Sequence, residues 1–174
     1  MDNNIRKHIR EIIDFPKKGI SYKDITPLLM DVDISNYITS ELVDRINHLK
    51  IDAIVGVESR GFLYGFLLAN RIGVPFVPIR KAGKLPSKTI KCKYDLEYGA
   101  AEIEIHANDI KSDWNVLIHD DLLATGGTAC AAAELIKMAN ANVAGFAFLI
   151  NLTYLKPHEK LNLYSDHIIS LVDY

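Results

Sequence analysis

The sequence predicts an α/β fold, a parallel sheet flanked by helices. Short apolar runs of strand length recur along the chain, and amphipathic helical patterns fill the intervals between them. One run, from Val116 to His119, stops at the paired acids Asp120-Asp121, and a glycine turn then opens an alanine-rich helix. A run bounded in this way reads as a buried parallel strand, with a ligand site at its carboxyl end.

Each element has its own signal. Ile5, Ile9, Ile12 and Ile13 share a helical face, which predicts an amphipathic helix over 3–13, stopped by Pro16. Ile34, Ile38, Leu42, Val43, Ile46 and Leu49 repeat the helical spacing, with Asp33 or Ser35 as N-cap. Ala53–Val57 is a continuous apolar run and reads as a buried strand. A helix over 62–71 follows, ended by Gly73, and then a strand over 74–79. Pro75 and Pro78 make that strand an edge or an irregular one. Residues 80–93 are basic, carry Gly and Pro and show little periodicity, so they read as a long mobile loop. Ala101, Ile103 and Ile105 alternate with Glu102 and Glu104, which predicts a half-exposed strand. A strand over 114–119, a helix over 128–140 and strands over 143–150 and 168–172 complete the pattern.

Composition bounds the function. A chain of 174 residues, 49% hydrophobic and 24% charged, fits one globular domain with a sizeable core. A net charge of −2 gives no basic field for nucleic acid, so an anionic ligand has to be held by local groups. No apolar run spans a bilayer, and Met1-Asp2-Asn3-Asn4 lacks a signal-peptide pattern. Cys92, in the expected loop, and Cys130, in a helix, read as free thiols of a reducing cytoplasm. Two cysteines alone do not build a zinc site.

The chemistry concentrates after strands. In Ala124-Thr125-Gly126-Gly127-Thr128, backbone N–H groups and hydroxyls converge on one anion at a helix N-terminus, a phosphate cradle with Asp120 and Asp121 placed for sugar hydroxyls. An ordinary N-capped junction leaves the paired acids unexplained. Neither a Walker loop nor a G-x-G-x-x-G turn is present. Glu58-Ser59-Arg60-Gly61 follows another strand, and Arg60 offers a planar fork for phosphate oxygens. Taken alone it is an arginine on a solvated turn; beside a strand end of this fold it reads as a pyrophosphate contact. Arg80, Lys81 and Lys84 are either a solvated charge run or cations for a pyrophosphate leaving group. Glu97, before Tyr98 and Gly99, is either an exposed carboxylate or one that stabilises an oxocarbenium-like centre or exchanges a proton with a base.

The segment from Asp120 to Thr128 resembles the phosphoribosyl pyrophosphate (PRPP) signature of the type I phosphoribosyltransferases. The Asp14–Gly19 stretch, Asp24-Ile25-Thr26-Pro27-Leu28, Ser59-Arg60-Gly61-Phe62, the Arg80–Pro86 stretch and Tyr94-Asp95-Leu96-Glu97-Tyr98-Gly99 extend the likeness. Together they resemble the adenine phosphoribosyltransferases along nearly the whole chain. That resemblance implies a type I phosphoribosyltransferase fold in one domain, 1–174, with a small N-terminal hood for the base over 1–30 and a mobile catalytic loop. It implies that adenine attacks PRPP to give AMP and pyrophosphate in purine salvage, with Mg²⁺ entering as the PRPP complex and no dedicated metal ligand on the protein. Asp120 and Asp121 would hold ribose hydroxyls and the metal's water shell, and Ala124, Thr125, Gly126, Gly127 and Thr128 the 5′-phosphate. Arg60, Arg80, Lys81 and Lys84 would hold pyrophosphate, and Ser59 would also bind PRPP. Glu97 would be the catalytic carboxylate, assisted by Arg60 and Lys81, with Tyr98 closing beside it. The backbone of Ser21, with Tyr22, Lys23 and Leu152, would form the adenine pocket. A cytoplasmic homodimer is implied as well.

Lys23, Ala82 and Asn151 depart from the family pattern, where arginine, a basic residue and glutamate are common. Two rivals are a hypoxanthine, guanine or xanthine enzyme and a non-catalytic PRPP- or purine-binding regulator. The hood and the Leu-Glu-Tyr-Gly stretch argue against the first. The absence of length for a nucleic-acid module argues against the second.

Overall fold

The computed structural model describes residues 3–96 and 99–174. The N-terminal arm starts with a short helix, α1 (Asn3–His8), which buries Ile5, and then turns into an antiparallel pair, β1 (Arg10–Ile13) and β2 (Ser21–Asp24). The helix expected over 3–13 is therefore cut at His8. Ile12 and Ile13, which completed the helical face, are exposed on β1. Their β-branched backbone finds a partner strand instead: Arg10 pairs across to Asp24 at 2.7 Å, and Asp14 accepts a 2.6 Å hydrogen bond from the Gly19 amide to close the connection.

Helix α2 (Thr26–Met30), with Pro27 in its first turn, was not evident in the sequence pattern. Helix α3 (Val32–Ile46) buries Ile34, Ile38, Leu42 and Ile46 as expected, but Asp31 is its cap, accepting from the amides of Asp33 and Ile34. β3 (Ala53–Val57) is buried at every residue. Helix α4 (Gly61–Ile72) ends at Gly73, in the left-handed conformation at φ 75°. β4 (Phe76–Lys81), β5 (Thr89–Leu96), β6 (Gly99–His106), β7 (Asn115–Leu123), α5 (Gly127–Met138), β8 (Asn142–Asn151), α6 (His158–Leu161) and β9 (Ile168–Asp173) follow.

Seven of these strands form one sheet in the order β5-β6-β4-β3-β7-β8-β9. The run from β4 to β9 is parallel, as expected, while β6 pairs antiparallel with β4 and β5 with β6. The sheet is thus mixed. Both of its faces are covered: Val55, Val57, Ile118 and Phe148 pack toward the alanine-rich α5, and Ile54, Leu117 and Leu149 toward α3 and α4. Two-sided burial explains why these strands read as unbroken apolar runs.

Two further expectations change. Only 82–88 of the long loop expected over 80–93 lies outside strands: its start belongs to β4 and its end to β5, where Ile90, Cys92 and Tyr94 alternate with lysines and pack one face against the core under α5. Basic residues on the outer face masked that period of two, and Cys92 lies on β5. The irregular strand begins at Phe76, and Pro78 pairs only with the β3 side, since β6 joins at Arg80 and Lys81. A proline is tolerated there because no second ladder needs its amide.

Candidate active site

The carboxyl ends of β3, β4 and β7 meet at one edge of the sheet. Chain reversal after β7 forms the cradle: Ala124 to Thr128 and Asp120 line a hollow of about 70 Å³, closed below by Phe148. Gly126, at φ 82°, caps α5 in the left-handed conformation that favours glycine. The amides of Gly127 and Thr128 begin a helix of twelve residues, whose positive end faces the hollow.

Beside the cradle lies an open cleft of about 390 Å³ lined by Tyr22, Glu58, Ser59, Arg60, Lys81, Asp120, Asp121 and Leu122. Residues from the arm, β3, β4 and β7 converge there, as their positions after strands predicted. Arg60 is the hinge of this cleft. Its Nε stands 2.9 Å from Asp121 Oδ2, and one terminal nitrogen donates to the Tyr22 hydroxyl at 2.8 Å and to the Lys23 carbonyl at 3.1 Å. One guanidinium therefore ties the N-terminal arm to the acid pair on β7.

The acids are electrostatically strained. Burial, reinforced by the Asp121 charge, pushes the Asp120 carboxyl well above the usual carboxylate range, although it accepts a 2.9 Å bond from the Asp121 amide. Burial also raises Asp121, against the opposing pull of Arg60. Such a pair is poised for hydroxyl groups or a hydrated cation that restores polar contact. Gly61 permits the approach, since a Cβ there would stand 2.9 Å from Asp120 Oδ1 and from the His119 carbonyl.

The other expected residues are distributed as follows. Lys81 lines the cleft, but Arg80 is held by Glu58, donating to both carboxylate oxygens at 3.2 and 3.3 Å. Those bonds and one from the Lys81 amide keep Glu58 below its ordinary range. Lys84 is exposed and lies outside the cleft lining. Ser21 is exposed on β2, and its hydroxyl donates to Glu11. The Lys23 side chain is buried on the strand face opposite Tyr22, with Nζ 2.9 Å from Glu11 and over the Tyr174 ring at 4.0 Å. It is therefore a strut of the arm. Leu152 is buried in the core beneath the arm. Asn151 turns its amide to His158 and Asp173. Glu97 and Tyr98 lie outside the described residues.

Two carboxylates had no role in the sequence pattern. Glu58 follows β3 beside Arg80 on the neighbouring parallel strand, a pairing visible only once register is known. Glu104, expected on an exposed face, is 1% exposed. It accepts from the amides of Lys84 and Leu85, both at 3.0 Å, and from the Thr89 hydroxyl at 3.1 Å, pinning the turn after β4. Among the described residues no three His, Cys, Asp or Glu side chains gather around a metal position. Two acids at one edge, one already paired with Arg60, suit a divalent ion that keeps its waters and arrives on a phosphate ligand.

The phosphoribosyl transferase domain family matches residues 21–172, so the fold is that of a phosphoribosyltransferase. The chain is 50% identical, over 98% of both sequences, to adenine phosphoribosyltransferase of Clostridium botulinum (strain Loch Maree / Type A3). The crystal structure of adenine phosphoribosyltransferase from Thermoanaerobacter pseudethanolicus superposes with a TM-score of 0.95 at 47% identity, covering 98% of each chain. That of Trypanosoma brucei, in complex with AMP, pyrophosphate and ribose-5-phosphate, gives 0.87 at 28% identity, covering 98% of this chain and 78% of its own. The chain belongs to the adenine phosphoribosyltransferase family, enzymes of the glycosyltransferase type that act on a purine.

Proposed function

We propose that the chain transfers the 5-phosphoribosyl group of PRPP to adenine, releasing pyrophosphate and forming AMP. The bond from the base nitrogen to C1′ forms as the bond from C1′ to the pyrophosphate oxygen breaks. Pyrophosphate leaves with the electron pair, and the base loses its proton. The observation that carries this reading is the adjacency of the cradle to the Arg60–Asp121 cleft. One suits a phosphate, and the other presents hydroxyl acceptors and cations directly beside it, with Asp120 and Leu122 lining both.

In this reading Ala124 to Thr128 hold the 5′-phosphate, and Asp120 and Asp121 accept from the ribose hydroxyls. Ser59, Arg60 and Lys81 face pyrophosphate, and Arg80 and Lys84 add charge from the rim. Fixed cations oppose charge that grows on the leaving group, so they favour the transition state over bound substrate. Mg²⁺ bound to PRPP would supply further charge neutralisation, with Asp120 and Asp121 meeting its water shell. Glu97 is assigned the catalytic carboxylate and Tyr98 a closing contact. The arm over 1–30 serves as the base hood of a single domain, with the Ser21 backbone, Tyr22 and Leu152 around adenine. The buried Lys23 side chain supports this hood without touching the base.

A homodimer accords with exposed apolar side chains on α4, where Phe66 is 57% exposed beside Leu63 and Leu67. Cytoplasmic action accords with the free thiols of Cys92 and Cys130. The test is formation of AMP and pyrophosphate from adenine and PRPP, with and without Mg²⁺, compared with hypoxanthine. Faster turnover of hypoxanthine overturns the assignment to adenine, and a Glu97→Gln variant with unchanged turnover removes Glu97 from the chemistry.

A further inference from the structure

One contact joins the phosphate cradle to the strand that leads to Glu97. Tyr94 on β5 is half-buried, and its ring packs with Ile90 and Cys92 against the core under α5. Its hydroxyl oxygen stands 3.4 Å from Oγ1 of Thr128, the last residue of the cradle. Hydroxyl pairs usually meet at about 2.7–2.8 Å, so the bond, with Thr128 donating, is long and weak.

From this contact we infer that Tyr94 is a positioning residue, which docks β5 on the cradle more firmly once a phosphate is bound. The inference rests on the reading of residues 124–128 as the phosphate site. The Thr128 hydroxyl has one proton. When that proton turns to an anionic phosphate oxygen, Oγ1 is left as an acceptor and the Tyr94 hydroxyl becomes the donor. The bond reverses direction and joins a chain, Tyr94 to Thr128 to phosphate, whose last link is charge-assisted. Hydrogen bonds in a chain polarise one another, so phosphate binding strengthens the tie to β5. Since Leu96 ends β5 directly before Glu97 in sequence, substrate that fills the cradle also steadies the strand that carries the catalytic carboxylate.

Tyr94→Phe tests this, because it keeps the ring packing and removes only the hydroxyl. In the parent enzyme, ribose 5-phosphate slows amide hydrogen exchange across 89–96. In Tyr94→Phe, calorimetry still detects ribose 5-phosphate binding, the slowing is lost, and kcat at saturating PRPP falls by about threefold to tenfold, the worth of one hydrogen bond. KM for adenine is unchanged. Thr128→Val lowers kcat at saturating PRPP, and adding Tyr94→Phe to it lowers kcat no further, because both changes break the same chain. Retained slowing in Tyr94→Phe, or losses of kcat that multiply in the double variant, overturns the inference while leaving the phosphate site intact. Failure of ribose 5-phosphate to bind the parent enzyme overturns both.

Discussion

Replacing Arg60 by methionine removes the side chain that holds the site together while keeping most of its apolar stem. Asp121, its partner at 2.9 Å, has a side chain only 4% exposed, so the carboxylate loses its counter-charge in a place water scarcely reaches. Breaking a buried pair by removing one partner costs about 3–5 kcal/mol. The Arg60 side chain is 31% exposed, which places the expected loss at the lower end, about 3 kcal/mol near neutral pH. With a urea m value of about 2.5 kcal/mol/M, the unfolding midpoint falls by about 1.2 M. The loss depends on pH in a definite direction. Burial already raises Asp121 against the pull of Arg60, and without Arg60 the carboxyl rises further. A carboxyl raised by folding contributes stability at low pH that is lost as pH rises through its folded value. The deficit is therefore larger at about pH 8 than at about pH 5.5. Urea denaturation followed by circular dichroism, at one fixed protein concentration, measures both quantities. Adding Asp121→Asn to Arg60→Met restores most of the lost stability, because the stranded charge is gone. A deficit below about 1 kcal/mol that does not change with pH would refute the reasoning, since Asp121 would then not depend on Arg60 for its charge.

Glu104→Ala leaves the Lys84 and Leu85 amides and the Thr89 hydroxyl without their acceptor and should cost about 3 kcal/mol, read by the same denaturation. Burial raises Glu104, but the bonds from Leu85, Thr89 and Lys84, with the Lys91 charge, outweigh it and leave the carboxyl lowered. Its stabilisation is present above the ordinary glutamate range and lost as pH falls, so the deficit of a Glu104→Gln variant shrinks below about pH 4. A deficit that grows on acidification contradicts this. Gly61→Ala places a methyl 2.9 Å from Asp120 Oδ1 and from the His119 carbonyl, and the carbonyl is backbone that does not swing aside. Overpacking of this kind costs about 1–3 kcal/mol, or about 4–8 °C of Tm at the middle of that range, with weaker PRPP binding. An unchanged Tm would mean that the strand end yields freely.

The parallel core and the cradle were legible in the sequence because their causes are local. Ala53–Val57 is apolar throughout because both of its faces are covered, and the small residues from Ala124 to Thr128 leave backbone amides uncovered directly after the paired acids. The arm was less legible. Ile5, Ile9, Ile12 and Ile13 satisfy a helical period, but pairing of β1 with β2 claims the last two, and no local signal distinguishes those outcomes. The basic stretch over 80–93 failed for a related reason: lysines on the outer face of β5 hid the alternation of Ile90, Cys92 and Tyr94.

What the sequence determined by itself was therefore the kind of fold, the small-residue turn at the end of its central strand and the family, since each is written in consecutive residues whose chemistry reads without neighbours. What only the tertiary structure decided was how the charges are shared. Arg60 is spent on Asp121 and Tyr22, Arg80 is held by Glu58, and Glu104 is buried under the turn that bears Lys84. Lys23 faces Glu11, away from the Tyr22 side of its strand. An ion pair or a buried acceptor joins residues tens of positions apart, and its strength depends on distance and exclusion of water. Both are properties of the packed chain, and no short stretch of sequence contains them.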